Sequence, residues 1–164
     1  MVDLKKNLNR IQENINETAK KVGKSPCDIK LIAVTKTVDE EIINESINLG
    51  VKSIGENRVQ EIRRKYENIK EDVEWHMIGH LQSNKVKYII DKVELIHSLD
   101  RMSLAKEIQK RAKKIEKTMD VLLQVNIAEE ESKFGLKKEE TIPFIEKMLK
   151  FDRIRIKGLM TIAP

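Results

Sequence analysis

Apolar and polar positions along this chain fall into two rhythms. Over residues 3–22, Leu4, Leu8, Ile11, Ile15 and Val22 recur at steps of three, four and seven, one face of an amphipathic helix, and Gly23 stands where such a helix closes. After the break GKSPC the rhythm changes to short apolar runs alternating with helical patterns. Strands are predicted at 30–37 (KLIAVTKT), 51–57 (VKSIGEN), 73–80 (VEWHMIGH), 93–100 (VELIHSLD), 119–128 (MDVLLQVNIA) and 153–163 (RIRIKGLMTIA). Helices are predicted between them at 39–50, 58–70, 82–92, 101–117 and 137–150. Ser98 or Asp100 is placed to cap the helix over 101–117, and Pro143 falls early in its helix, where proline does least harm.

Six strands alternating with helices mean βα units, a parallel sheet and right-handed crossovers. No linker or low-complexity tract divides the chain, so residues 1–164 are expected to form one domain. A doubly wound nucleotide binder would carry a glycine-rich turn after its first strand, and VTKTVDEE has none. The expected class is therefore α/β, a parallel (β/α) barrel of the TIM type. A closed barrel of that kind has eight units, and this chain supplies six after its N-terminal helix before ending on a strand, an incomplete C-terminal end.

Composition narrows the partners. Charged residues make up 36% and aromatics 4%, and the net charge of +5 is the small difference between 32 basic and 27 acidic residues. Signs interleave, as in EIRRKYENIKEDVE, in the manner of solvated helix faces, and no arginine-rich run asks for nucleic acid. Cys27 is the only cysteine, so no disulfide forms within the chain. No signal-type or membrane-length apolar run is present, and a cytoplasmic protein without a membrane or nucleic-acid partner is expected.

In a parallel barrel, chemistry sits at the C-terminal ends of the strands. Those ends carry Lys36, Glu56 and Asn57, His80, Ser98 and Asp100, Asn126, Met160 and Thr161. Lys36 has two readings: it marks where the first strand meets water, or its amine is a nucleophile for an aldehyde. Ile32, Val34 and Lys36 share one face of the strand by two-residue alternation. His76 and His80 are four apart in a strand-like setting, which separates them by roughly 13 Å, too far for one metal ion. No metal site is expected, and His76 and His97 read as hydrogen-bonded interior residues. No G-x-S-x-G is present and Cys27 precedes the first strand, so no catalytic nucleophile is assigned. Glycines before Glu56 and His80 either let the backbone approach a ligand or belong to ordinary turns.

The segments AVTKT, GENRVQE, WHMIGHLQSNK, HSLDR, QVNIAEEESKFG and GLMTIAP, in this order, resemble the pyridoxal 5′-phosphate homeostasis protein family from about residue 28 onward. The resemblance implies a barrel like the N-terminal domain of alanine racemase. It implies that Lys36 carries pyridoxal 5′-phosphate as a Schiff base and that Asn57 lies beside the cofactor. Met160 and His80, at other strand ends, complete the candidate contacts, His80 without an assigned role because that position varies in the family. The implied function is that of a carrier or regulator of the cofactor pool, with apoenzymes that receive the cofactor as possible partners and no settled catalytic activity. The alternatives are a racemase-like enzyme of the same fold and a barrel fragment serving only as an interaction module. Family members continue into further segments that grip the phosphate. The expectation is that this chain alone binds the cofactor weakly or not at all, and is unstable or associates through open sheet edges.

Overall fold

The computed structural model describes residues 3–69, 73–128, 130 and 133–162. Parts of two of the motifs, Glu129, Glu131 and Ser132 in one and Ala163 and Pro164 in the other, lie outside the described residues, as does Lys70 at the end of a predicted helix. The elements run α1 (Leu4–Lys21), β1 (Ala33–Val34), α2 (Glu40–Asn48), β2 (Ser53–Glu56), α3 (Val59–Lys65), β3 (Glu74–Met77), β4 (Leu95–Leu99), α4 (Met102–Lys114), β5 (Met119–Gln124), α5 (Lys138–Met148) and β6 (Ile154–Met160). Helix α1 begins where Asp3 accepts a hydrogen bond from the Lys6 amide at 2.9 Å, and it closes before Gly23 at φ 70°.

All neighbouring strands pair in parallel, and their order in the sheet, β1-β2-β3-β4-β5-β6, is their order in the chain. Each βα unit is laid beside the last in one direction. A doubly wound sheet would instead reverse direction at a switch point, so this is the winding of a barrel wall. β1 and β6 form the two edges of the sheet. Side chains on the helix-facing side of the strands, among them Ile54, Trp75, Met77, Ile96, Val121 and Leu123, are buried against Ile43, Ile62, Leu104, Ile108 and Phe144 of the helices. That layer is the core. No helix among the described residues is long and apolar enough to cross a membrane.

Three local expectations need correction. Residues 82–92 hold the apolar spacing of a helix, with Val86, Ile89, Ile90 and Val93 buried, but Ser83–Tyr88 winds as a tighter 3₁₀ helix. Its bonds run i to i+3, such as Lys85 N to Gln82 O at 3.0 Å, because a short connector between adjacent strands must follow the packing rather than its own propensity. Neither Ser98 nor Asp100 caps α4; Arg101 occupies the cap without a side-chain bond. Pro143 sits in the interior of α5 rather than in its first turn.

Candidate functional site

The strand ends at the C-terminal rim are set by close packing of β1, β2 and β3. The Thr35 amide donates to Gly55 O at 3.0 Å, extending the β1–β2 ladder one step past Val34. The pairing of Val34 with Gly55 then puts Lys36 level with Asn57. Just beyond, Thr37 adopts φ 60°, a left-handed turn that a β-branched residue rarely takes, and the chain leaves the sheet. Lys36 is exposed, and its amine makes no hydrogen bond or ion pair among the described residues. Asn57 is half-buried.

Gly79 explains how Asn57 is held. A Cβ there would overlap the Asn57 carbonyl oxygen and lie 2.8 Å from Asn57 Cα. A Cβ on Gly55 would press on Ile78 and Ile32 side chains at 3.0–3.1 Å. At both glycines the space a Cβ would take is filled by neighbouring protein atoms, a packing role that neither reading of the sequence named.

Asn57 and His80 share a cleft of 260 Å³ whose other walls include Ile78, Gln124, Asn126 and Phe134. The loop after β5 folds back to make that wall. Leu136 N donates to Gln124 O at 2.8 Å, Asn126 N to Leu136 O at 2.9 Å, and the Asn126 side-chain amide to Glu130 O at 2.8 Å. The loop thereby lays the Phe134 ring on the His80 imidazole, with centroids 3.8 Å apart and planes 21° from parallel. His80 Nδ1 is buried without a hydrogen-bond partner among the described residues; Asp100 Oδ2 is 4.0 Å away, and Asp100 Oδ1 is engaged by Arg101 at 2.7 Å. Burial first, and the Arg101 charge second, lower the His80 pKa, so its imidazole is neutral at neutral pH. A second groove, of 480 Å³, runs outward from Asn57 and His80 past Arg58 and Lys85.

The structure thus brings Asn57 and His80 together. Lys36 stands level with Asn57 on the adjoining strand, outside the walls of both hollows. Met160 is half-buried at the end of β6, opposite Gln124, and its carbonyl accepts from Val125 N at 2.9 Å. Ser98 is buried with its hydroxyl unpartnered, and Thr161 is exposed.

Glu56, expected at the rim, points the other way. Its carboxylate is fully buried behind the sheet, where Lys65 of α3, also fully buried, donates to Glu56 Oε1 at 2.7 Å. Lys65 Nζ also donates to Thr35 O at 2.8 Å and pairs with Glu61 Oε2 at 3.1 Å, while the Thr35 hydroxyl donates to Glu56 Oε1 at 2.8 Å. The bond from Lys65 holds the Glu61 carboxyl below the usual carboxylate range. Sequence reasoning missed this cluster because its charged run read as a solvated face. The available signal was position: Lys65 falls on the stripe of Val59, Ile62 and Ile69, all buried.

Within β3 and β4 lies a different polar pair. His76 Nδ1 and His97 Nε2 are 2.9 Å apart and both residues are buried, as their interior reading requires. Burial lowers both pKa values, that of His97 to about 4. No group of three or more His, Cys, Asp or Glu among the described residues has the geometry to hold a metal ion.

Comparison with known proteins gives this geometry a context. The family model described as "Alanine racemase, N-terminal domain" matches residues 6–164. The pyridoxal phosphate homeostasis protein of Aquifex aeolicus is 48% identical over 158 residues, covering 96% of this chain and 69% of the relative. A crystal structure of an unknown protein from Bifidobacterium adolescentis superimposes with a TM-score of 0.90 at 34% identity, covering 98% of this chain and 69% of that one. PipY of Synechococcus elongatus, solved with PLP bound, superimposes with a TM-score of 0.77 at 29% identity, over 92% of this chain and 70% of that one.

Proposed function

The chain belongs to the pyridoxal phosphate homeostasis protein family, built on the alanine racemase N-terminal domain, and we propose that it holds pyridoxal 5′-phosphate as a Schiff base on Lys36. The observation that carries this reading is the state of that amine: at the end of the first barrel strand, exposed, unpaired and level with Asn57. An amine so placed can attack an aldehyde; its nitrogen bonds to the aldehyde carbon and the carbonyl oxygen leaves as water. When bound, the cofactor supplies the aldehyde and an electron-withdrawing ring.

The residues present suit such a ligand. The 260 Å³ cleft is just below the range of about 300–1,000 Å³ seen for drug-sized ligands, in keeping with a small aromatic phosphate. Asn57 offers both a donor and an acceptor, and the His80 ring forms part of the cleft wall beside it. Phe134 gives the cleft an aromatic wall, and Met160 stands at the far strand end. The relatives' shared name and the PLP-bound PipY structure support the same reading.

Holding and releasing the cofactor, rather than turning over a substrate, is the role that fits these residues, within the cytoplasm and with cofactor-dependent apoenzymes as recipients. Neither tyrosine stands at the rim to exchange a proton: Tyr66 packs on Trp75 with ring centroids 5.6 Å apart, and Tyr88 lies under the Arg63 guanidinium at 4.5 Å. Incubation with pyridoxal 5′-phosphate, borohydride reduction, intact mass and peptide mapping tests the proposal. A single pyridoxyl group on Lys36, reduced about 100-fold or more by Lys36→Ala, is expected. Adducts spread evenly over the surface lysines, or none at all, overturn it.

A further inference from the structure

Lys36 and Asn57 are each preceded by a residue that faces away from the rim, Thr35 and Glu56, and both of those are buried in the same polar cluster. Alternation along a strand links the two sides: what fixes the direction of one side chain fixes its neighbour to the opposite face. We propose that Lys65, Glu56 and Thr35 form a positioning clamp that aims Lys36 and Asn57 at the rim.

Lys65 is the centre of the clamp. Its ammonium has three protons, and three acceptors surround it: Glu56 Oε1 at 2.7 Å, Thr35 O at 2.8 Å and Glu61 Oε2 at 3.1 Å. Those acceptors belong to the end of β2, the end of β1 and α3, so one buried cation ties three elements at a single point. The Thr35 carbonyl it grips belongs to the peptide bond that runs into Lys36. That grip sits immediately before the left-handed turn at Thr37, where φ is 60° and the backbone is under strain. The Thr35 hydroxyl closes the ring by donating to the same Glu56 oxygen that Lys65 uses.

An ordinary core would achieve packing here with less expense. Burying two charges costs several kcal/mol per ion before pairing restores it, and apolar residues of similar volume often serve stability as well or better. What apolar side chains do not supply is direction. A contact between Ile and Leu tolerates sliding, whereas three hydrogen bonds from one ammonium fix both the height and the rotation of the β1 terminus relative to β2. The clamp is made of side chains that never touch the rim, yet the residues next to them along the backbone are the two at the rim of β1 and β2.

This inference rests on the proposed Schiff base at Lys36, and its test separates the two. The full chain is treated in parallel with pyridoxal 5′-phosphate and with acetaldehyde, each followed by borohydride, and labelling of Lys36 is measured by peptide mapping. The phosphorylated aromatic aldehyde requires the amine to be aimed; acetaldehyde requires only that it be accessible. The double variant Lys65→Met/Glu56→Leu replaces the charged pair by apolar side chains of similar size. It is expected to lose tenfold or more of the pyridoxal 5′-phosphate rate at Lys36 while its acetaldehyde rate stays within twofold. Thr35→Val, which keeps the shape and removes the hydroxyl, is expected to lose several-fold, and Thr35→Ser to restore the rate; this pair decides the matter if the double variant does not fold. Unchanged labelling in a folded double variant, or equal losses with both aldehydes, overturns the clamp. Absence of any preference for Lys36 in the unsubstituted chain overturns the Schiff-base reading and the clamp with it.

Discussion

His76 and His80 lie four residues apart on the same stretch of chain, yet they face opposite chemical situations. Inside β3, His76 is 2% exposed and its Nδ1 meets His97 Nε2 at 2.9 Å. At the C-terminal end, His80 is half-buried, its Nδ1 has no hydrogen-bond partner among the described residues and its ring stacks on Phe134. The difference extends to lysines: Lys65, behind the rim, has all three protons engaged, and Lys36, on the rim, has none engaged among the described residues. Behind the sheet the charges pair with one another, although Glu56 Oε2 and His76 Nε2 are buried without a hydrogen-bond partner among the described residues, whereas the Lys36 amine at the rim is exposed. Residue type does not separate the two situations.

The sharpest way to break that comparison is to unpair a satisfied group. Lys65→Met leaves the Glu56 carboxylate buried without its cation, and a loss of about 3–5 kcal/mol in urea unfolding is expected. Removing both charges in Lys65→Met/Glu56→Leu should recover most of that loss. Lys36→Ala, by contrast, should leave stability within about 0.5 kcal/mol of the parent, as exposed, unpaired positions do. If Lys65→Met proves as mild as Lys36→Ala, the contrast between the paired, buried lysine and the exposed one is wrong.

Much of this architecture was legible in the chain. The alternation of apolar runs and helical stripes gave the parallel winding, because each strand must bury one whole face against helices and each helix one stripe against strands. The residues alone left Lys36 with two readings, a strand reaching water or a nucleophile, because a strand-end lysine is compatible with both; only the resemblance of the motifs chose between them. Direction at the strand ends was not legible. Glu56 and Asn57 are adjacent, and only the register of β2 decides which of them reaches the rim. Lys65 was hidden for a related reason: a charged run looks solvated until the apolar stripe beneath it is traced through position 65. The contact of Phe134 with His80 joins residues 54 positions apart through a folded-back loop, and no local pattern announces it.

Gly79 sharpens the comparison from the backbone side. A methyl group at this position would run into the backbone of Asn57, which cannot move without shifting β2 and the cluster behind it. Gly79→Ala is therefore expected to cost about 3 kcal/mol, with loss of the labelling preference at Lys36 as β2 shifts. Gly50→Ala is the informative contrast. Gly50 has open space around it and only its φ of 105° to lose, so the cost should be smaller and Lys36 labelling unaffected. Similar behaviour of the two variants would show that Gly79 is a turn residue like any other and that nothing special joins it to Asn57.

The smallest expected effect probes the buried histidine pair through pH. His97 and His76 both take up protons less readily in the folded chain than in the unfolded one, where an imidazole titrates near 6.5. The cause is burial first, with Lys30 also opposing a proton on His76 while Glu74 and Glu94 favour one. Because the folded pKa values are lowered, the unfolded state binds more protons as the solution is acidified. Stability from this source is full above about pH 6.5 and is lost as the pH falls toward the folded value of about 4 for His97. Between pH 7 and pH 5, above the range in which ordinary carboxylates titrate, the loss from His97 should be about 2 kcal/mol. His97→Leu should remove that share of the slope, whereas His80→Leu should change it less, its imidazole being only half-buried. A slope that disappears with His80 rather than with His97 would reverse that assignment, making the rim imidazole the one whose neutral form the fold depends on.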